Sequence, residues 1–172
     1  LYRDESRVFS TARLGMGGGT SGKLVTAVKK RMTDAAGNAK LAVIDGSPGI
    51  GCPVIASISG ADLVLMVAEP SLSGISDLER IWKTARTFRT ETAVCVNKAD
   101  ISPAKSDTIR AFCQTENIPF VGAIPFDPNA VKAVNSGQSI AEIDCPSGAA
   151  VRSVYRKTMD LLFAENENRH AT

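Results

Sequence analysis

Four polar residues stand at or just beyond the ends of apolar runs in this chain. Asp45 follows Leu41-Ala42-Val43-Ile44, Glu69 follows Leu63 to Ala68, Asn97 follows Ala93 to Val96, and Asp127 lies shortly after Val121 to Ile124. Asp45 has the most distinctive surroundings, because Gly46, Gly49 and Gly51 come directly after it. Four consecutive apolar residues read as a strand buried on both faces. An acid at the carboxyl end of such a strand stands where open α/β sheets place ligands. Glycines after it let the backbone turn sharply and bring N–H groups close to an anion. The chemistry this suits is that of a Mg²⁺-borne triphosphate, with the acid holding the metal directly or through water and a loop N–H sensing the terminal phosphate. The plainer alternative is a buried strand that ends in an aspartate turn.

Asn97, Lys98 and Asp100 spell N-K-x-D. In small GTPases this spelling reads guanine through the aspartate; the plain alternative is the turn that enters a helix. Gly17-Gly18-Gly19-Thr20-Ser21-Gly22-Lys23 fits the G-x-x-x-x-G-K part of a phosphate loop. Leu24, however, stands where a Mg²⁺-binding hydroxyl is needed, and the preceding Val8 to Leu14 alternates with polar residues instead of forming a buried strand. Ser21-Gly22-Lys23 therefore reads better as the cap of a helix.

The remaining chemistry is narrow. The single histidine, His170, lies in the polar stretch at 165–172, which argues against catalysis by a histidine base. Of the four cysteines, Cys95 and Cys113 fall in apolar strand and helix patterns, as reduced core thiols do, and no pair has metal-finger spacing. That usage suits the cytoplasm. A net charge of +2 gives no electrostatic case for nucleic acid. No apolar run reaches the roughly 20 residues of a membrane span, and no signal peptide or amphipathic membrane anchor is visible.

The elements that must position these residues alternate regularly. A helix is expected over about Lys23 to Met32, with Leu24, Val25, Val28 and Met32 on one face and Lys29, Lys30 and Arg31 opposite. The Leu41–Ile44 strand follows, then a short helix from Pro53 to Ser59. Strands at Asp62–Ala68, Thr92–Val96 and Pro119–Ile124 are separated by helices, one presenting Ile75, Leu78, Trp82 and Ala85, the next opening at Ser102-Pro103. A short helix over Ala130, Val131 and Val134 and a closing helix from about Ala149 to Phe163 complete the pattern. The expected fold is α/β, a parallel sheet with helices on both faces. Its strand ends should gather Asp45, Glu69, Asn97 and Asp127 along one edge. At 172 residues the chain is one domain's worth.

With these strand ends in place, the chain resembles the MinD/ParA group of P-loop ATPases, the deviant-Walker type of the SIMIBI class. It is most similar to MinD-like ATPases that carry an inserted ferredoxin domain. The residues that carry the resemblance are Leu41 to Pro53, Val67-Ala68-Glu69-Pro70-Ser71-Leu72-Ser73-Gly74, Val96-Asn97-Lys98-Ala99-Asp100, Ile124-Pro125-Phe126-Asp127 and Ser21 to Val25. The resemblance implies that Asp45 holds Mg²⁺ and that Gly49 gives its N–H to the γ-phosphate. It implies that Asn97 meets adenine, with Lys98 and Asp100 beside it, and that Pro125 and Asp127 form the second base-contacting loop. Glu69 would lie near the phosphates or a dimer interface, or be a solvated strand-end acid. Cys52 matches the position of a switch II cysteine that holds a cluster shared between subunits in the nitrogenase iron protein, although no cysteine precedes it as a second ligand. Cys145, before Pro146, reads as structural.

The family's glycine-rich loop and the cluster cysteines of its ferredoxin part are not among the matching residues. The expectation is a C-terminal portion, with 1–20 a remnant of an upstream segment or insert junction, 21–164 the ATPase part and 165–172 a polar tail. The cofactors implied are Mg²⁺ and ATP, with an iron–sulfur cluster on the upstream insert. The implied partners are a second copy in a nucleotide-dependent homodimer and a ferredoxin-type insert or redox partner. The alternative is a non-hydrolysing half-domain that acts as a protein-interaction module.

Overall fold

The computed structural model describes residues 2–3, 7–12, 21–49 and 51–170, with the side chains of 7–12, 21–49 and 51–164. The chain divides into two compact units, Leu1–Ala61 and Asp62–Thr172.

In the first unit, β1 (Tyr2–Arg3) and β2 (Val8–Phe9) pair antiparallel. Helix α1 (Ser21–Ala36) packs on the short helix α2 (Cys52–Ile58). Ser21-Gly22-Lys23, expected as a cap, forms the first turn of α1 itself, and the glycine run before it lies outside the described residues. Gly22 lets α1 come close to the start of α2. A Cβ there would stand 3.1 Å from the Cys52 Cβ. Lys29 corrects the expected polar face of α1. Its Nζ donates to the carbonyls of Ala56, Ser57 and Ser59 at 3.1, 3.1 and 2.6 Å, closing the carboxyl end of α2. The geometry is simple: position 29 lies four after Val25 and three before Met32, hence on their face.

The expected strand at Leu41–Ile44 does not form. Residues 41–46 carry no regular structure, and Leu41 and Val43 are 39% and 77% exposed. A doubly buried strand needs a ladder on its edges and a layer on each face, and 41–46 has no ladder among the described residues. The glycine loop that follows is as expected, with Gly49 in the left-handed region at φ +88°.

The second unit holds a three-stranded parallel sheet in the order β3 (Leu63–Ala68), β4 (Glu91–Asn97), β5 (Phe120–Ile124). Leu63 pairs with Glu91 and Ala68 with Val96, in unbroken register. Strand alternation sends Met66, Ala68, Val94 and Val96 to one face, where Leu78 and Trp82 of α3 (Leu72–Thr87) and Ile109 and Cys113 of α4 (Pro103–Thr115) cover them. Ala93, Cys95 and Val121 go to the other face, under Val154 and Leu161 of α6 (Pro146–His170). Between β4 and β5 the register slips by one residue, since Val94 faces Phe120 but Cys95 faces Gly122. Gly122 sits at φ +157°, where a Cβ would meet the Val154 Cγ2 at 2.8 Å, so the bulge and the close seating of α6 share one glycine.

The short helix expected over Ala130, Val131 and Val134 forms as α5 (Pro128–Asn135), with Ala133 buried and Val131 and Val134 exposed. The last helix runs on to His170 through the stretch expected as a tail; no glycine or proline interrupts residues 149–170.

Candidate functional site

The carboxyl ends of β3, β4 and β5 bring Glu69, Asn97, Lys98, Asp100, Pro125 and Asp127 to one edge of the sheet. Glu69 directly follows β3 and precedes buried Pro70 and Ser71, which caps α3 by accepting the Gly74 N–H at 2.9 Å. A Cβ on Gly74 would collide with the Glu69 carbonyl, so the glycine lets α3 start directly against the strand end.

After β4 the chain makes a compact loop. Lys98 takes φ +53°, its N–H donates to Asn97 Oδ1 at 3.0 Å, and its carbonyl accepts the Ile101 N–H at 3.1 Å. The Lys98 Nζ lies 2.7 Å from Glu69 Oε1, with both side chains about half exposed. The Ser106 hydroxyl, nearly buried, donates to the Ala99 carbonyl at 2.7 Å and ties α4 to the loop.

Two bonds join this loop to the one after β5, on either side of Pro125. The Ala99 N–H donates to the Ile124 carbonyl at 3.0 Å, and the Phe126 N–H donates to Asp100 Oδ1 at 2.6 Å. Asp100, a candidate base reader by spelling, thus acts here as a loop-to-loop brace. Asp127 caps α5, Oδ1 accepting the Asn129 N–H at 2.9 Å, and Oδ2 accepts the Ser147 hydroxyl at 2.9 Å. These bonds, the Asn129 N–H foremost, hold its carboxyl below the ordinary carboxylate range. Ser147 was not marked by sequence reasoning; the one available signal was its place after Pro146 at a helix start.

Asp45, Gly49 and Cys52 belong to the first unit. Asp45 is exposed, Gly49 has open space around its Cα, and Cys52 is an exposed free thiol at the start of α2. Mg²⁺ is commonly held by one or two carboxylates together with substrate phosphates, and an exposed Asp45 fits that role. The described residues contain no group of three or more His, Cys, Asp or Glu able to hold a metal ion. Cys52 offers one thiolate, so a cluster on it needs thiolates from elsewhere. Burial raises the Cys95 and Cys113 thiols to about 11, as core packing implies. Cys145 is likewise structural, its Sγ accepting the Gly148 N–H at 3.3 Å. An open cleft of about 510 Å³ lies at the opposite edge of the sheet, between Trp82, Arg89 and Asn117, and collects none of the candidate residues. No helix is long and apolar enough to cross a membrane among the described residues.

No family model matches the chain. The uncharacterized protein MJ0578 of Methanocaldococcus jannaschii is 26% identical over 151 residues, 87% of this chain and 50% of that protein. The uncharacterized ATP-binding protein MJ0547 of the same organism is 25% identical, covering 69% of this chain and 46% of its own length. A cytosolic Fe-S cluster assembly factor, the Nubp1 homolog of Drosophila willistoni, is 33% identical over 38% of this chain and 21% of that protein. Among solved structures, the MinD cell division protein of Aquifex aeolicus superposes with a TM-score of 0.65 at 21% identity, covering 81% of this chain and 61% of that one. The fold is therefore the α/β fold of MinD, as the resemblance implied. The chain spans about half the length of the first of these curated relatives.

Proposed function

We propose that the protein, together with sequence beyond these 172 residues, is a cytoplasmic Mg²⁺-dependent ATPase of the MinD/ParA group. The observation that carries this reading is the pair of bonds that lock the Asn97 loop to the Pro125 loop, one on each side of Pro125. They make a rigid two-loop seat at the strand ends, where α/β sheets hold nucleotides. Adenine is favoured over guanine because Pro125 and Asp127 match the second base-contacting loop of the resembled ATPases, and Asp100 turns Oδ1 to the Phe126 N–H of that loop. The MinD-like fold and a relative named as ATP-binding support the same reading.

In this function Asp45 holds the metal and the Gly49 N–H faces the γ-phosphate. Bound Mg²⁺ supplies neutralisation of the developing phosphate charge. Asn97 and the Pro125 loop orient the base, and Glu69, paired with Lys98, stands at the neighbouring strand end. Hydrolysis takes place between two subunits, and its cycle is coupled to an iron–sulfur insert or redox partner. The relative named as an Fe-S cluster assembly factor supports that link.

The test is nucleotide preference and turnover of the protein extended upstream. ATP should bind at least tenfold tighter than GTP, and Asp45→Ala should lower kcat by two or more orders of magnitude. A GTP preference, or hydrolysis that survives Asp45→Ala, rules the reading out.

A further inference from the structure

Asp127 was expected to touch the base, but its carboxylate is engaged elsewhere. We propose that Asp127 is a positioning residue: with Ser147 it clasps the starts of α5 and α6 together and so holds the Pro125–Phe126 backbone in place beside Asn97. This inference deepens the nucleotide reading above and rests on it for its functional meaning.

Three hydrogen-bond donors converge on the carboxylate. Oδ1 accepts the Asn129 N–H at 2.9 Å, and Oδ2 accepts the Ser147 hydroxyl at 2.9 Å and the Ser147 N–H at 3.4 Å. The Cys145 thiol adds a fourth donor, and a carboxylate offers about four lone-pair sites, so none is left for a base. The Asn129 and Ser147 N–H groups are free donors of helix first turns, where the helix dipole also favours negative charge. Ser147 is only 2% exposed, so water is poorly placed to replace it.

Both ends of the clasp are fixed. On the far side, Gly148 packs so closely that a Cβ would collide with the carbonyls of Ile140 and Ile143. The Arg152 guanidinium donates to the Ala141 and Ile143 carbonyls at 2.7 and 3.3 Å. On the near side, Phe126 is tied to Asp100 and Ile124 to Ala99. Pro125 and Phe126 are therefore strung between the Asn97 loop and the first turn of α6. Base-edge recognition then falls to Asn97 and to the backbone of 125–126, and Ser147 acts on it without touching the base.

The experiment uses this chain, with adenosine and guanosine as probes. Amide exchange and nucleoside-induced shifts are followed by NMR in wild type, Ser147→Ala and Asp127→Asn. Asp127→Asn keeps Oδ1 as an acceptor for Asn129 but removes the acceptor of the Ser147 N–H and leaves an NH₂ that can only donate to the Ser147 hydroxyl, so it weakens the α6 half alone. Both variants should speed exchange at Phe126 and Asn129 by about tenfold and reduce adenosine shifts at Asn97 and Phe126. In Ser147→Ala the Asp127 carboxyl should also titrate closer to its ordinary value. Wild-type exchange at Phe126 and Asn129 in both variants overturns the clasp. So does an adenosine response that Asp127→Asn abolishes and Ser147→Ala leaves intact, because that marks a direct base contact. If wild type responds to guanosine and not to adenosine, the base-site reading fails, while the exchange comparison still decides the clasp.

Discussion

Lys98 Nζ lies 2.7 Å from Glu69 Oε1, so the lysine of the N-K-x-D loop closes onto the end of the neighbouring strand. It does so from a backbone at φ +53°, a region that costs a residue with a Cβ of order 1 kcal/mol. The ion pair is half exposed and contributes only a few tenths of a kcal/mol. Loop shape, not the pair, is therefore the larger energetic term. Glu69→Gln should change stability by less than about 0.5 kcal/mol. Lys98→Gly should leave it unchanged or raise it by up to about 1 kcal/mol, and Lys98→Val should lower it clearly. Urea midpoints of the three variants check this, and a large loss in Glu69→Gln contradicts it.

Gly74 makes a sharper prediction. A Cβ at this position would collide with the Glu69 carbonyl and lie 3.1 Å from Ser71 Oγ, the N-cap oxygen of α3. Neither neighbour is the loose end of a long side chain. Gly74→Ala should cost about 1–3 kcal/mol, as overpacking does, although alanine is the better helix former. Gly137→Ala, with open space around it, isolates the other effect, since there only its φ of +68° opposes the Cβ. Thermal melts of the two variants should rank Gly74→Ala as the more damaging.

Much of this fold was legible because its signals are local. Apolar runs of four to six residues with polar or proline ends marked β3 to β5, and Ile75, Leu78, Trp82 and Ala85 marked the buried side of α3. The Leu41–Ile44 strand failed because an apolar run shows what a segment can bury, not whether a ladder and two covering layers are present. Lys29 was misplaced because a cation on an apolar face finds its partners, here three carbonyls of α2, only in three dimensions. Ser147 escaped for the same reason: its partner is 20 residues away, and nothing in the spacing selects Asp127 over the other acids. Glu69, Asn97 and Asp127 follow the strands of one sheet as their spacing predicts, whereas Asp45 follows none, and the tasks of Asp100 and Asp127 depended on which donors their oxygens meet.

The four thiols should separate by reactivity. Cys95 and Cys113 are 1% exposed and their thiols are raised to about 11, so at pH 8 they hold almost no thiolate and no reagent reaches them. Cys52 is exposed, and Cys145 is partly covered and bonded to Gly148. Labelling with a chromogenic disulfide should modify Cys52 first and Cys145 more slowly. Cys95 and Cys113 should react only as the second unit unfolds, so their rate should follow denaturant. Fast labelling of all four under native conditions would contradict the packing of β4 and α4.

The last prediction concerns nucleotide binding by these 172 residues alone. In P-loop ATPases the glycine-rich loop and its lysine supply most of the phosphate binding, through N–H groups that surround the β- and γ-phosphates. On the reading proposed above, Asp45, Gly49 and Asn97 cover only the metal, the edge of the γ-phosphate and the base. Without a companion hydroxyl and a phosphate-binding lysine, an exposed Asp45 meets a triphosphate mainly as a like charge. The chain should therefore bind Mg·ATP no more tightly than about millimolar, equivalent to roughly −4 kcal/mol, with turnover at background. Lys23 is the group to test against this, because it lies exposed in the first turn of α1, shortly after Gly17-Gly18-Gly19 in the sequence. Calorimetric titration of wild type and Lys23→Ala with Mg·ATP separates the cases. Equal, weak heats in both leave Lys23 a surface helix residue. Micromolar binding that collapses in Lys23→Ala would make Gly17 to Lys23 a working phosphate loop, and α1 the helix that carries it.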